Sequence, residues 1–364
     1  MIPIMEPWLD HQEIDLVMDC LKSGWISSQG KYIAEFEEAF SGFCGSRFGV
    51  ATSNGTTALH LAVLTLGIGP GDEVIVPALS FIATANVVVY TGARPVFADV
   101  DEKTWTLDPS LLKSLITDRT KAIIPVHLYG HPADMGPIMK LAEEYHLWVI
   151  EDAAEAHGAE YKGKKVGSLG HMGCFSFYGN KIISTGEGGM LVTDNPEWVE
   201  KARILRDHGM SKERKYWHPV VGHNFRMTNI QAAIGLGQMT KLERLIEIKR
   251  EIADRYTQGL KKNTGLVLPA EKQWAKSVSW LYSILLKPET QKNRDDLIAF
   301  LARSEVESRP FFYPIPDMPP YQGYGTYPVA SQISKGGISL PSGFNLTCSE
   351  QDQVMELIQR YLDR

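Results

Sequence analysis

Between residues 46 and 195 the chain alternates short, almost wholly apolar runs with longer stretches of helical spacing. That alternation limits the fold more than any other feature. The runs fall at 48–51, 73–76, 94–98, 121–126, 148–151, 174–177 and 190–193. Several, such as Val74-Ile75-Val76 and Ile123-Ile124-Pro125-Val126, lack the polar–apolar alternation of a strand with one wet face. A strand apolar on both sides needs cover on both sides, as in a mostly parallel sheet between helix layers. Segments 56–66 and 134–145 supply helices of suitable length. The expected fold class is α/β, with an open sheet flanked by helices.

Beyond Asn229 the pattern changes. Residues 230 to about 262 read as one long helix, with neither Gly nor Pro from Gln238 to Tyr256. A strand at 280–286, a helix at 294–304, a Pro/Tyr-rich loop at 310–327 and a last helix at 349–362 follow. A chain of 364 residues is long for one simple core. The expected division is a large domain over 1–240 and a smaller C-terminal α+β domain over 241–364.

The bulk properties exclude several classes. A net charge of −6 argues against a general nucleic-acid surface, so an anionic ligand needs a local site. No apolar stretch approaches the ~20 residues of a membrane span. The first residues lack the basic and apolar regions of a secretory signal. Cys20, Cys44, Cys174 and Cys348 are scattered without a C-x-x-C pair, which fits free thiols in a reducing cytoplasm. His127 and His131 have the spacing of a helical metal pair but flank a strand end, so no metal site is expected. The glycines of Gly67-Ile68-Gly69-Pro70-Gly71-Asp72 precede a strand instead of opening a helix and read as a turn.

Two groups stand out chemically. Asp152 ends the apolar run Val149-Ile150-Glu151, and Lys181 follows Phe175-Ser176-Phe177-Tyr178-Gly179-Asn180 just before the glycine-rich Gly186-Glu187-Gly188-Gly189. A lysine and an aspartate so placed suit a pyridoxal phosphate enzyme. The lysine amine joins the cofactor aldehyde and the carboxylate keeps the ring nitrogen protonated. Burial among Phe175, Phe177 and Tyr178 is expected to lower the lysine pKa, and a cationic ring to lower that of Asp152. Ser53-Asn54-Gly55-Thr56-Thr57 opens a helix, where free N–H groups suit a phosphate, or where Asn54 is simply a cap. Ser176 is a second phosphate candidate. Glu155 and His157 are placed to orient Asp152 or meet the cofactor's ring hydroxyl.

These motifs, with the run Gly71–Pro77, resemble the DegT/DnrJ/EryC1/StrS aminotransferases over nearly the whole chain. The resemblance implies a fold type I pyridoxal phosphate enzyme that aminates keto sugars with L-glutamate as donor. It implies that Lys181 carries the cofactor, Asp152 partners the ring nitrogen, and Glu155 lies near the ring hydroxyl. Gly55, Thr56 and Ser176 would contact the phosphate and Phe81 would stack on the ring. Asn224 would reach the phosphate of the partner subunit's cofactor, so a homodimer with shared sites is implied. Phe177-Tyr178-Gly179-Asn180-Lys181, Ser308–Pro314, Met318–Tyr321 and Trp25–Gly30 are most similar to the GDP-perosamine synthase group, which acts on GDP-4-keto-6-deoxymannose. Relatives aminate other 4-keto or 3-keto nucleotide sugars or an 8-keto octulosonate. Others are sugar 3-dehydratases, many with histidine where this chain has Lys181. Trp25, Ser27, Arg309 and Tyr313 are the candidate substrate contacts. Arg309 suits a diphosphate or carboxylate, or else a surface ion pair.

Overall fold

The computed structural model describes residues 1–363. Its central sheet has seven strands in the order Phe48–Thr52, Gly189–Thr193, Met172–Ser176, Trp148–Asp152, Thr120–Ile123, Glu73–Pro77 and Arg94–Ala98. Gly189–Thr193 runs antiparallel to both its neighbours, and the other pairings are parallel. Burial on both faces explains the continuous apolar runs. Val74 and Val76 face one core with Leu59 and Val63 of the helix Gly55–Thr65. Ile75 between them faces another, with Ile138 and Ala142 of the helix Met135–Glu144.

A second, antiparallel sheet contains Leu266–Val267, Ser283–Leu286, Gly337–Ser339 and Arg309–Pro310. Ile284 and Ile338 of that sheet pack with Ile252 and Tyr256 of Leu242–Leu260, Leu297 and Leu301 of Arg294–Arg303, and Val354 and Ile358 of Cys348–Leu362. The start of the chain joins this core, since Ile2 pairs with Val306.

Two expected elements differ: the strand expected at 280–286 begins only at Ser283, and the long helix is broken. The long helix over 230–262 is two helices, Asn229–Met239 and Leu242–Leu260, with Lys241 at φ −119° and ψ 3° between them. Neither Gly nor Pro is needed for this corner. Thr240 Oγ1 donates to the Gly237 carbonyl, and Lys241 Nζ is held by Asp10 and Glu13, both 2.8 Å away. The turn at 67–72 forms as expected, closed by Gly69 N–H donating to Asp72 Oδ2.

Candidate active site

The sequence Glu151-Asp152 ends a strand, so its two acids point to opposite faces. Glu151 turns into the protein and accepts N–H bonds from Gly167, Leu169 and Gly170, with His127 Nε2 at 3.0 Å. It is a buried structural anchor. Asp152 turns to the other face, at the C-terminal edge of the sheet where ligands of open α/β folds bind. Its Oδ2 accepts from Thr84 Oγ1 at 2.7 Å and its Oδ1 from Ala154 N–H at 3.2 Å.

Lys181 comes to the same edge on the turn after Met172–Ser176. Its side chain is buried, with Nζ 3.6 Å from Glu155 Oε1 and 3.7 Å from the centre of the Trp280 indole. Glu155 is held in turn by Tyr129 N–H, 2.8 Å from Oε2. Burial holds the Lys181 amine below its ordinary pKa, and the charges of Glu155 and Asp152 oppose that shift without reversing it. Burial raises both acids, again against the pull of Lys181. The lowered pKa expected for Asp152 is therefore not found in the chain alone. Desolvation dominates until a cation lies beside the carboxylate.

The aromatic cover of Lys181 also differs from expectation. Phe175 and Phe177 point away and pack on Phe40, at 4.8 and 5.0 Å between ring centroids. His157 lies with them, fully buried, and burial takes its pKa down to about 3. The ring over the amine is Trp280.

These groups line a cavity of about 720 Å³ at the strand ends. Gly55, Thr56, Phe81, Asp152, Glu155, Ser176, Lys181 and Arg309 all border it. The helix Gly55–Thr65 aims its N-terminus there. Asn54 Oδ1 caps Thr57 N–H at 2.9 Å, leaving the N–H groups of Gly55 and Thr56 ahead of the helical ladder. A Cβ at Gly55 would sit 2.7 Å from Ser176 Cβ, so glycine is needed for this close approach. From the second sheet's side, Arg309, Phe312 and Trp280 close the cavity.

Comparison with known proteins bears directly on this geometry. Residues 7–359 match the DegT/DnrJ/EryC1/StrS aminotransferase family. The chain belongs to that family. It is 46% identical to the GDP-perosamine synthase of Caulobacter vibrioides over 99% of this chain and 98% of that protein. It is 45% identical to the GDP-perosamine synthase of Escherichia coli O157:H7, with the same coverage. Among solved structures, S. venezuelae DesV in complex with a ketimine intermediate superposes with a TM-score of 0.92, at 34% identity and full coverage of both chains.

This family member is thus a pyridoxal phosphate-dependent sugar aminotransferase, whose reaction needs a keto sugar and an amino donor. The residues present fit the cofactor. A buried amine, a buried carboxylate and a helix N-terminus with uncommitted N–H groups face one cavity large enough for a flat ring and a phosphate. Among the described residues no cluster suited to a metal ion occurs, and no helix is long and apolar enough to cross a membrane.

Four sequence candidates do not line this cavity. Asn224 is exposed and accepts from Arg226 Nε at 3.0 Å. The Trp25 and Ser27 carbonyls hold Asn229, accepting from its side-chain and backbone N–H at 2.8 and 2.6 Å. Tyr313 is 56% exposed beside Phe312. Conversely, sequence reasoning did not single out Trp280, Tyr129 or Thr84. Thr84 lies only three residues past Phe81, which the sequence did single out. Tyr129 sits in the left-handed region at φ 51° on a turn, stacked on Phe312 at 5.5 Å. Trp280 comes from the far side of the chain, and nothing local marks it.

Proposed function

We propose that Lys181 is the cofactor-bearing residue and Asp152 the partner of the ring nitrogen, in an enzyme converting GDP-4-keto-6-deoxymannose to GDP-perosamine with L-glutamate as amino donor. One observation carries the assignment: a buried amine between Glu155 and Trp280, sharing a cavity with a buried carboxylate. When bound, pyridoxal phosphate supplies an amine-capturing carbonyl and a ring that takes up electron density.

The chain's own residues do the rest. Burial keeps a fraction of Lys181 as the free amine, which attacks carbonyls and later moves a proton to and from the donor's α-carbon. Glu155 Oε1 is the near group that stabilises the ammonium once Lys181 has taken that proton. Asp152, steadied by Thr84, would hold the ring nitrogen cationic. Gly55, Thr56 and Ser176 would hold the phosphate, and Phe81, exposed at the cavity edge, would cover the ring. Arg309, 3.2 Å from Glu307 at the mouth, suits the substrate diphosphate.

A homodimer completes the reading. Asn224 lies outside its own chain's cavity and is exposed, as a group serving a partner's phosphate must be. Trp25, Ser27 and Tyr313 are assigned to the sugar nucleotide on the same basis. A cytoplasmic setting fits four free cysteines. The four-stranded sheet and the cluster it shares with Leu242–Leu260, Arg294–Arg303 and Cys348–Leu362 support the division into 1–240 and 241–364, although Ile2 joins that cluster and Ala275–Lys276 pairs back onto Glu160–Tyr161.

The substrate is tested with a panel of GDP-, UDP- and dTDP-linked 4-keto sugars, a 3-keto sugar and a keto octulosonate, read as 2-oxoglutarate formed from glutamate. The GDP-linked 4-keto-6-deoxymannose should be turned over fastest. Preference for another member reassigns the substrate, and loss of sugar oxygen without gain of nitrogen marks a dehydratase. Mixing inactive Lys181→Ala and Asn224→Ala subunits should restore up to about a quarter of wild-type activity, since random pairing leaves one complete site in mixed dimers. No rescue would place Asn224 outside the shared site.

A further inference from the structure

Lys249, on the helix Leu242–Leu260, is 1% exposed and lies outside the cavity's lining. Its Nζ donates to the Trp280 carbonyl at 2.9 Å and the Ser342 carbonyl at 2.5 Å, and lies 3.0 Å from Met5 Sδ. The Phe344 ring is 5.0 Å away. Among the described residues no carboxylate forms an ion pair with it. One ammonium therefore meets three acceptors from three remote segments and no counter-charge, an arrangement that burial makes unfavourable.

The acceptor of interest is Trp280. Its backbone lies in an irregular bend, directly after Ser279 in the left-handed region at φ 47°. Without a strand or helix ladder here, the carbonyl takes its bond from Lys249. The same residue's indole donates to the Asn180 carbonyl at 2.7 Å and covers Lys181 Nζ at 3.7 Å. A continuous line of contacts thus runs from the second sheet's supporting helix to the reactive amine.

We propose that Lys249 is a positioning residue, whose Nζ, with N–H donors for the Trp280 and Ser342 carbonyls whether charged or neutral, fixes the bend at Trp280 and through it the indole face that sets the proton affinity of Lys181. This rests on the role assigned to Lys181 above. An aromatic face stabilises the ammonium form, so a displaced indole leaves the neutral amine dominant at lower pH. Asp152, Glu155 and His157 are the other titratable groups acting on Lys181, and none of them touches Lys249.

The test is the rate at which the full-length, cofactor-free chain takes up pyridoxal phosphate covalently, followed from about pH 6 to 10, with borohydride fixation and mapping of the modified residue. Trp280→Leu should lower the pH midpoint by about 0.5 unit or more. Lys249→Met should lower it in the same direction by part of that amount, and the double variant should match Trp280→Leu alone. A Lys249→Met chain that melts earlier but keeps the wild-type midpoint overturns the proposal and reduces Lys249 to a structural role. An unshifted midpoint in Trp280→Leu overturns it whether or not Lys249→Met folds. Failure of the wild-type chain to form an adduct at position 181 overturns the functional reading itself, and this inference with it.

Discussion

Lys181 and Lys249 are both buried, and burial pulls both below the ordinary lysine pKa, yet their surroundings are opposite in kind. Lys181 borders an open cavity and has two carboxylates acting on it. Lys249 is packed against carbonyls, a thioether and a ring, which satisfy its donors and leave it nothing to react with. A depressed lysine pKa alone thus does not mark a nucleophile. Free volume beside the amine, and acids that can exchange protons with it, separate a lysine placed to react from one placed to hold its neighbours.

The largest expected effect follows directly. Lys181→Ala should lower amine transfer by on the order of 10⁴-fold or more and abolish borohydride-stable attachment of the cofactor. The fold should survive, because Lys181 borders the cavity and its loss leaves Asp152 and Glu155 their bonds from Thr84 and Tyr129. A covalent adduct of wild-type yield elsewhere in the variant would show the reactive lysine to be another residue. Next in size, Asp152→Asn should cost on the order of 10² to 10³-fold in turnover, since the ring nitrogen loses its counter-charge while Thr84 still holds the side chain. Near-normal turnover would remove the electronic role assigned to Asp152.

Glu155→Gln sharpens the same contrast with a smaller effect, about tenfold in turnover. The sign of its pH effect is fixed by the surroundings of Lys181. The Glu155 carboxylate raises the lysine pKa against burial, so removing the charge should move cofactor attachment to lower pH. An unmoved pH dependence would mean that Glu155 is protonated in the resting chain and acts only by accepting the hydrogen bond from Tyr129 N–H.

Much of the cavity's lining was legible in the sequence because it is local. Asp152, Lys181, Ser176 and the Gly55–Thr56 turn each sit at a strand end or helix start, and the sheet's own geometry brings such ends together. Glu151 shows the limit of that reading. Adjacent to Asp152 and equally acidic, it is sent by strand alternation to the opposite face, where it ties down the 167–170 loop. Trp280 and Lys249 were not legible, because both act across long sequence separations and neither belongs to a periodic pattern facing the cavity. The break at Lys241 escaped for a similar reason: ion pairs to Asp10 and Glu13 fix that corner, and no local residue type announces it.

The smallest effect concerns stability rather than turnover, and it distinguishes the two lysines by pH. Burial takes Lys249 down to about 7 from an ordinary value of 10.5, while the carbonyl lone pairs favour the charged form. Between those two values the unfolded chain binds a proton that the folded chain has released, so folding stability rises with pH, by up to about 1.4 kcal/mol per unit. Lys249→Met has no such titration, though it leaves two buried carbonyls without a donor. Wild type should therefore be more stable than the variant by about 2–3 kcal/mol at pH 9 and by under about 1 kcal/mol near pH 7, as measured by urea unfolding. A gap that stays flat or narrows as pH rises would show that Lys249 keeps its proton throughout. The carbonyls of Trp280 and Ser342 would then outweigh desolvation, and the two buried lysines would differ in charge as well as in reach.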